Sequence, residues 1–445
     1  MRINHIKNKA LYLLRKLKNK GFFHIFGAST LNKIIAFASS WIIVRIISKP
    51  EYGVYTHAYN KYGFLILLNG LGIASAVLQL GSEAKEENEK LQIYGYGLKI
   101  GLITDLLLAV AVLLVGLFVP LKIEGSNRLL AMMAGLPLVT IVTDLQLMYL
   151  RINLRNKQFS ALSLINSIAV LVFSCALAFL LKAPGLVLAG YCSHLFTAII
   201  ANRIYKVPLK LENIRVSAPE RKTIFSIALI SMVNNGLSHL MYLLDIFVIG
   251  LLIAESEVIA AYKIATNIPT ALQFIPTAIL LFVYPHFARN KDNKKWVLKK
   301  YRQLIIPFGL FNLITATVLF LLAKPLIGFI FGEQYLDAAT PFRILCISYF
   351  FSASFRSISG ALLVTQRQLK FNLGISAFAG VLNLTLNYFL IRSMQMTGAA
   401  IATLITTALC GTISTVYFLY YVKYKNSGSN DKPPKDTDER TVTEL

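Results

Sequence analysis

The sequence predicts an all-α membrane protein of about twelve transmembrane helices, built as two six-helix lobes related by a pseudo-two-fold axis along the membrane normal. Three observations predict it. The 445 residues are 56% hydrophobic and only 15% charged, a membrane composition rather than a globular one. The apolar residues gather in stretches of about 20, the length an α-helix needs to cross the hydrocarbon. Between the stretches the basic residues alternate: segments on one side hold 32 of the 45 Lys/Arg, and loops on the other hold 5. That asymmetry orients a chain with its basic loops in the cytoplasm. One miscounted helix in the middle would scramble it.

Residues 1–21 hold seven Lys/Arg. Ile6, Ala10, Leu13, Leu14 and Leu17 recur among them at helical spacing, as in a basic amphipathic helix lying on a membrane surface. The apolar stretch that follows is about twice the core of a cleaved signal peptide. The first lobe, 22–210, carries spans at 22–47, 54–80, 93–119, 128–150, 159–181 and 185–205. The second, 220–423, carries spans at 224–253, 258–287, 303–331, 338–365, 369–391 and 397–421. Residues 424–445 are rich in Ser, Pro, Asp and Lys and read as a disordered tail. Both termini fall on the basic, cytoplasmic side.

The halves repeat. QFSALSLINSIAVLVFSCALAFLLKAPGLVLAG, from Gln158, matches in design QLKFNLGISAFAGVLNLTLNYFLIRSMQMTGAAIAT, from Gln368. EYGVYTHAYN, from Glu51, matches EVIAAYKIATN, from Glu257. A repeat of six spans, an even number, gives two halves of the same orientation.

Four spans carry polar stripes at spacing three or four, each on one helix face. Span one has Ser29, Asn32, Lys33 and Ser40. Span two has Thr56, His57, Asn60 and Lys61. Span seven has Asn235, Ser238, His239, Tyr242 and Asp245. Span eight has Lys263, Thr266, Asn267, Thr270, Gln273 and Thr277. Ser and Thr alone serve as glue between membrane helices. Lysines at mid-depth are too expensive for that role and mark a cavity. Lys61 lies roughly 13 Å from one surface and Lys33 roughly 16 Å from the other. Arg356, in span ten, is equally deep, whereas Arg45, Lys99 and Arg343 are near enough to span ends to snorkel. Asp245 and Lys263 come from adjacent spans at similar depth, so an ion pair between them is expected. An anionic substrate would compete for the lysine and release the carboxylate to take up a proton. Asp105 and Asp144, in spans three and four, are further candidates for a coupling proton carrier. Gly63, Gly70 and Gly72 in span two, and Pro269 and Pro276 in span eight, offer hinges.

The net charge of +24 does not point to nucleic acid, because the basic residues sit in short segments between spans. Cys175, Cys192, Cys346 and Cys410 lie in apolar segments with no paired spacing, and the six histidines are scattered. Neither a disulfide framework nor a metal site is expected from them.

The chain resembles the oligosaccharide-lipid and polysaccharide flippases of the multidrug/oligosaccharidyl-lipid/polysaccharide (MOP) exporter superfamily, in particular the Wzx-type O-antigen and capsule repeat-unit flippases. The residues that carry the resemblance are KPEYGVYTHAYN, from Lys49, and FGEQYLDAATPFRIL, from Phe331, with RNKQFS near Arg155 and TQRQLKFN near Thr365. It covers about residues 20–421. The resemblance implies a V-shaped bundle of two lobes in a bacterial cytoplasmic membrane, working by alternating access. It implies a substrate of undecaprenyl diphosphate bearing a short glycan, with cavity cations holding the diphosphate. Lys33, Lys61, Lys263 and Arg356 fit that description by location and charge. Asn32, His57, Asn60, Asn235, His239, Tyr242 and Asn267 would line the cavity. Expected partners are the lipid-linked oligosaccharide, membrane lipids and a repeat-unit polymerase, with the chain acting as a monomer and without a cofactor.

Two other functions compete. An exporter of cationic drugs needs cavity carboxylates, whereas the stripes here hold three basic groups and one acid. A polymerase or ligase needs a sizeable extracytoplasmic loop for its catalytic residues. Every outside loop here is short, so an enzyme is not expected.

Overall fold

A computed structural model describes residues 22–209, 214 and 216–424. The amphipathic segment 1–21 and the tail beyond Tyr424 lie outside the described residues. So do the side chains of His239 and Tyr242, within a helix whose backbone is described.

Every regular element among the described residues is helical. The first half opens with α1 (Phe22–Ile46). It continues through α2 (Lys49–Leu65), a 3₁₀ segment (Ile66–Gly72) and α3 (Ile73–Glu83), which together form one broken span. Then come α4 (Glu87–Phe118), the bent pair α5 (Ser126–Met132) and α6 (Leu136–Ile152), and the long α7 (Asn156–Arg203). The second half repeats this order. A straight α8 (Ala218–Leu252) precedes α9 (Ser256–Leu272) and α10 (Phe274–Arg289), which meet at Gln273. After α11 (Lys294–Leu321) and a short α12 (Ala323–Phe331) come α13 (Ala339–Phe351), a π turn (Ser352–Ser357) and α14 (Ile358–Thr365). The long α15 (Leu369–Tyr424) closes the fold.

By length and composition, seven described helices can cross a membrane, and nine when each bent pair counts as one span. Two of the seven fold back on themselves. In α7 the backbone leaves helical geometry at Lys182 (φ 57°, ψ −130°), and in α15 at Gln395 (φ 52°, ψ −133°). Thr197 then reaches Asn166 at 3.0 Å, and Asn383 reaches Thr403 at 3.5 Å. In a straight helix such partners would lie about 30 Å or more apart. The returning arms pass so close that a Cβ on Gly185 would stand 1.9 Å from Leu177 O, and one on Gly398 would stand 2.1 Å from Leu390 O. Only glycine tolerates that approach.

Local sequence explains where helices begin. Ser217 and Glu220 form a reciprocal capping box at the start of α8, and Asn293 caps α11 by accepting from the Trp296 N–H. Such caps satisfy amides that the first helical turn leaves bare. Bonds from Ser217 hold the exposed Glu220 carboxyl below the usual range. At the start of α10, Pro276 lacks an N–H and so suits a first turn, which places the break at Gln273 just before it.

Between the halves, α2 packs on α9 and α3 on α8. The apolar cores show how the halves join. At the end that bears Lys182 and Gln395, one core runs through both halves, from Val44 and Tyr52 to Ile249, Tyr262, Phe331 and Ala400. At the opposite end there are two cores. One combines α3, α4, α6 and the arms of α7 with Ile224 and Ala228 of α8. The other combines α10, α11, α14 and α15. Outward faces such as that of α4, with Leu106, Leu107, Leu117 and Phe118, stay apolar and exposed, as lipid contact requires.

Candidate functional site

Lys61 and Lys263 of the polar stripes lie on the helices that pack together between the halves. Lys61, half-buried on α2, places its ammonium 3.8 Å from the centre of the Phe247 ring on α8. A cation over an aromatic face at that distance is attracted by the ring quadrupole. His57, one turn earlier, is buried with Nδ1 3.0 Å from Ser126 Oγ. Its ring lies against Gly250 of α8, where a Cβ would come within 2.6 Å. Asn60 donates to Leu243 O of α8 at 3.0 Å. The stripe of α2 thus meets α8 along its length.

Lys263, on α9, is half-buried, and among the described residues no hydrogen bond or ion pair holds its ammonium. Four residues on, Asn267 donates to Ser40 Oγ of α1 at 2.8 Å. Lys33 is exposed. It stands seven residues before Ser40, two helical turns away on the same face of α1.

Depth can be read from contacts. Gly53 of α2 touches the backbone of Ser256 on α9, where a Cβ would stand 1.8 Å from Ser256 O. Lys61 and Lys263 lie eight and seven residues beyond that contact, about 12 and 10 Å further along their own helices. They are at comparable distances from it. Counted from the Ser40–Asn267 bond, Lys33 is about 10 Å toward the N-terminal end and Lys263 about 6 Å toward the other. The structure therefore strings the cations along the seam and does not gather them at one point. Arg356 stands apart on the π turn between α13 and α14, half-buried with a partner and close enough to act electrostatically on Cys410. Single π turns inside α-helices recur at functional sites.

Not every predicted lining residue faces the seam. Asn32 packs within its own half, donating to Ser163 of α7 at 2.7 Å, and Asn235 is exposed on α8. The expected Asp245–Lys263 ion pair is not formed. Asp245 instead accepts from Tyr262 (2.5 Å), Thr403 (2.6 Å) and Asn387 (2.7 Å). Successive helical residues point about 100° apart. Tyr262, not Lys263, is the residue of α9 that turns to Asp245. Asn387 also donates to Asn383. The stripe Asn383, Asn387, Thr403, Thr407 was present in the sequence at helical spacing and would have located these partners.

A further set of contacts bridges the halves near the reversals. Arg45 donates to the carbonyls of Phe329 and Ile330, which end α12. Lys49 bonds Gln334 O at 2.9 Å and Asp337 at 2.7 Å. Lys122 donates to Leu251 O, at the end of α8, at 2.6 Å. Helix C-termini carry partial negative charge and unpaired carbonyls, so they suit cationic donors.

Comparison with known proteins places this geometry. The family model described as "Polysaccharide biosynthesis protein" matches residues 42–341, more than half of the chain. The chain belongs to the polysaccharide biosynthesis protein family. An uncharacterized membrane protein in the cps region of Klebsiella pneumoniae is 21% identical over 397 residues, 87% of this chain and 79% of that protein. A probable low-salt glycan biosynthesis flippase of Haloferax volcanii is 22% identical over 249 residues, 55% of this chain and 51% of that protein. Among solved structures, an inward-facing multidrug resistance MATE family transporter of the MOP superfamily superposes with a TM-score of 0.69 at 15% identity, covering 90% of this chain and 96% of that one. The lipid II flippase MurJ, in an inward closed conformation, gives 0.68 at 14% identity, covering 90% and 87%. This member of the polysaccharide biosynthesis family is thus a multi-pass helical membrane protein with the MOP fold.

Proposed function

We propose that the chain is a flippase that moves an undecaprenyl-diphosphate-linked oligosaccharide repeat unit across the bacterial cytoplasmic membrane, for assembly of cell-surface polysaccharide. In this reading twelve spans form two lobes with both termini in the cytoplasm. The two fold-back helices supply four spans, the broken and bent pairs three or four more, and the straight helices the rest. The observation that carries the proposal is the line of lysines along the inter-half seam. A diphosphate needs cationic donors at mid-membrane depth. Lys33 meets it on the cytoplasmic side of the Ser40–Asn267 contact, and Lys61 and Lys263 meet it on the outer side, at comparable distances from the Gly53–Ser256 contact. The glycan passes between polar faces while the prenyl chain stays in lipid.

The joined core at one end and the two cores at the other support alternating access, with the joined end facing outward. Arg45, Lys49 and Lys122 then form the outer closure. Opening it exchanges three cationic grips for contacts at the cytoplasmic end. The names of the Haloferax protein and MurJ, both flippases, support the same class. Three lysines against one acid, Asp245, on the four polar stripes argue against an exporter of cationic drugs. A repeat-unit polymerase is the expected downstream partner, and the transporter works as a monomer.

The test is transport. Purified protein in proteoliposomes is given fluorescent lipid-linked oligosaccharide, and its transfer between leaflets is followed by quenching with a membrane-impermeant reductant. Acceleration by the wild type, absent for Lys61→Ala/Lys263→Ala, supports the reading. Equal rates with and without protein sink it.

A further inference from the structure

We propose that the break in the second span, with Asp105, Asn69 and Asp144, is a binding site for a sodium ion. The site is separate from the lysine seam, and its occupancy is read without any transported lipid.

Asp105 is 0% exposed on α4. One carboxylate oxygen accepts the Gly70 N–H at 2.6 Å. The other is buried without a donor. Asn69 Oδ1, one residue from that amide, is also buried without a donor. Asp144 of α6 and Tyr62 of α2, an acid and a phenol, lie near enough to Asp105 to interact with it. Among the described residues no Lys or Arg forms an ion pair with it. A buried carboxylate with one bond and no positive neighbour is costly, and a bound cation removes that cost.

The broken backbone beside these groups would supply further oxygens. Helical geometry is lost at Asn69 (ψ 122°), Gly70 (φ 52°) and Leu71 (φ 45°). Such a break in a membrane helix releases carbonyls of the preceding turn, and the end of α2 carries the negative pole of its dipole. Carboxylate, amide oxygen and backbone carbonyl are hard ligands that suit an alkali cation. Among the described residues no three of His, Cys, Asp or Glu gather as a transition metal requires. Unwound segments of this kind coordinate coupling ions in membrane transporters.

The site also touches the moving parts. A Cβ on Gly72 would stand 2.3 Å from Ala228 O and 2.9 Å from Met232 N, both on α8 of the second half. The break is therefore clamped between Asp105 of one half and α8 of the other. An ion that fixes the break biases that contact, and with it the equilibrium between open and closed forms.

The experiment compares thermal unfolding of full-length protein in detergent, in NaCl and in choline chloride of equal ionic strength, together with binding of radioactive sodium. Sodium is expected to raise the wild-type Tm by about 3 °C or more over choline. Asp105→Asn keeps an acceptor for Gly70 and gains a donor for Asn69, so it should fold, lose the sodium response and bind at least tenfold less sodium. Asn69→Ala should weaken sodium binding several-fold and serves if Asp105→Asn cannot be recovered. Asp245→Asn should leave the Asp105-dependent response in place. A wild type that unfolds alike in sodium and choline overturns the proposal. So does an Asp105→Asn or Asn69→Ala protein that binds sodium like the wild type.

Discussion

Lys49 and Asp337 form an ion pair of 2.7 Å across the two halves of the chain, with the lysine side chain 12% exposed and the aspartate 42%. They lie 288 residues apart in sequence. Lys49 opens KPEYGVYTHAYN and Asp337 ends the FGEQYLD of the second motif, so two stretches that carried the family resemblance are bonded to each other.

That pair should hold the joined end closed. A partly exposed ion pair contributes about 1 kcal/mol, roughly a fivefold bias. In a background without the native cysteines, spin labels at Glu124 and Glu333 report the separation of the halves at this end. Lys49→Ala and Asp337→Ala are each expected to raise the fraction of long distances, and the double variant should do no more than Lys49→Ala alone, which also loses the bond to Gln334 O. Unchanged distance distributions in both single variants would remove the pair from the closure.

The assignment of sides is open to chemistry. Cysteines placed at Lys122 and Gly332 are expected to react with a membrane-impermeant maleimide on intact cells. Those at Asn156 and Asn293 should react only after permeabilisation. Labelling of Asn156 from outside would invert or break the twelve-span arrangement.

Lys61 should matter through its charge and its seat over Phe247. Lys61→Ala is expected to cut surface polysaccharide about tenfold at unchanged protein level, a loss of roughly 1.4 kcal/mol, within the range for a charge-assisted bond. Lys61→Arg should keep part of the activity. Phe247→Leu, which removes only the ring face, should have the smaller effect, within the 0.5–2 kcal/mol or so of a cation–π contact. Normal display by Lys61→Ala would exclude the lysine from substrate handling.

Asp245 should behave as a structural hub. Asp245→Ala leaves Tyr262, Asn387 and Thr403 without their acceptor and is expected to destabilise by about 3 kcal/mol or more. Tyr262→Phe should cost about 1.5–3 kcal/mol, as for one bond to a charged group. Lys263→Ala should leave stability nearly unchanged, since no bond joins it to Asp245. Detergent-solubilised unfolding curves measure all three. A Lys263→Ala loss as large as that of Asp245→Ala would restore the ion pair.

Hydropathy and charge made the spans legible, because lipid imposes a length and a polarity that sequence displays directly. The placement of Lys61 and Lys263 within helices was legible for the same reason. Their neighbours were not. Whether Asp245 meets residue 262 or 263 depends on helix rotation, and a single step of about 100° changes the partner. The facing of Asn32 toward Ser163 depends on which neighbour α1 leans against, which composition does not encode. The glycines of span two marked a hinge, but the pairing of Gly70 with Asp105 required the backbone of the break itself. The reversals at Lys182 and Gln395 fall in the gaps the spans left at 182–184 and 392–396, but that one residue at positive φ would turn the chain directly into the next span was not legible.

In the orientation proposed above, those one-residue reversals have a practical consequence for anyone wishing to see the protein on a living cell. With the chain doubling back at Lys182 and Gln395 and only Gly332 separating α12 from its 3₁₀ turn, this face offers little for an antibody or protease to grasp. The stretch between α4 and α5, residues 119–125, is the widest connection there. An epitope inserted beside Glu124, which is exposed, leaves the grip of Lys122 on Leu251 in place, and it is the natural site for a surface tag.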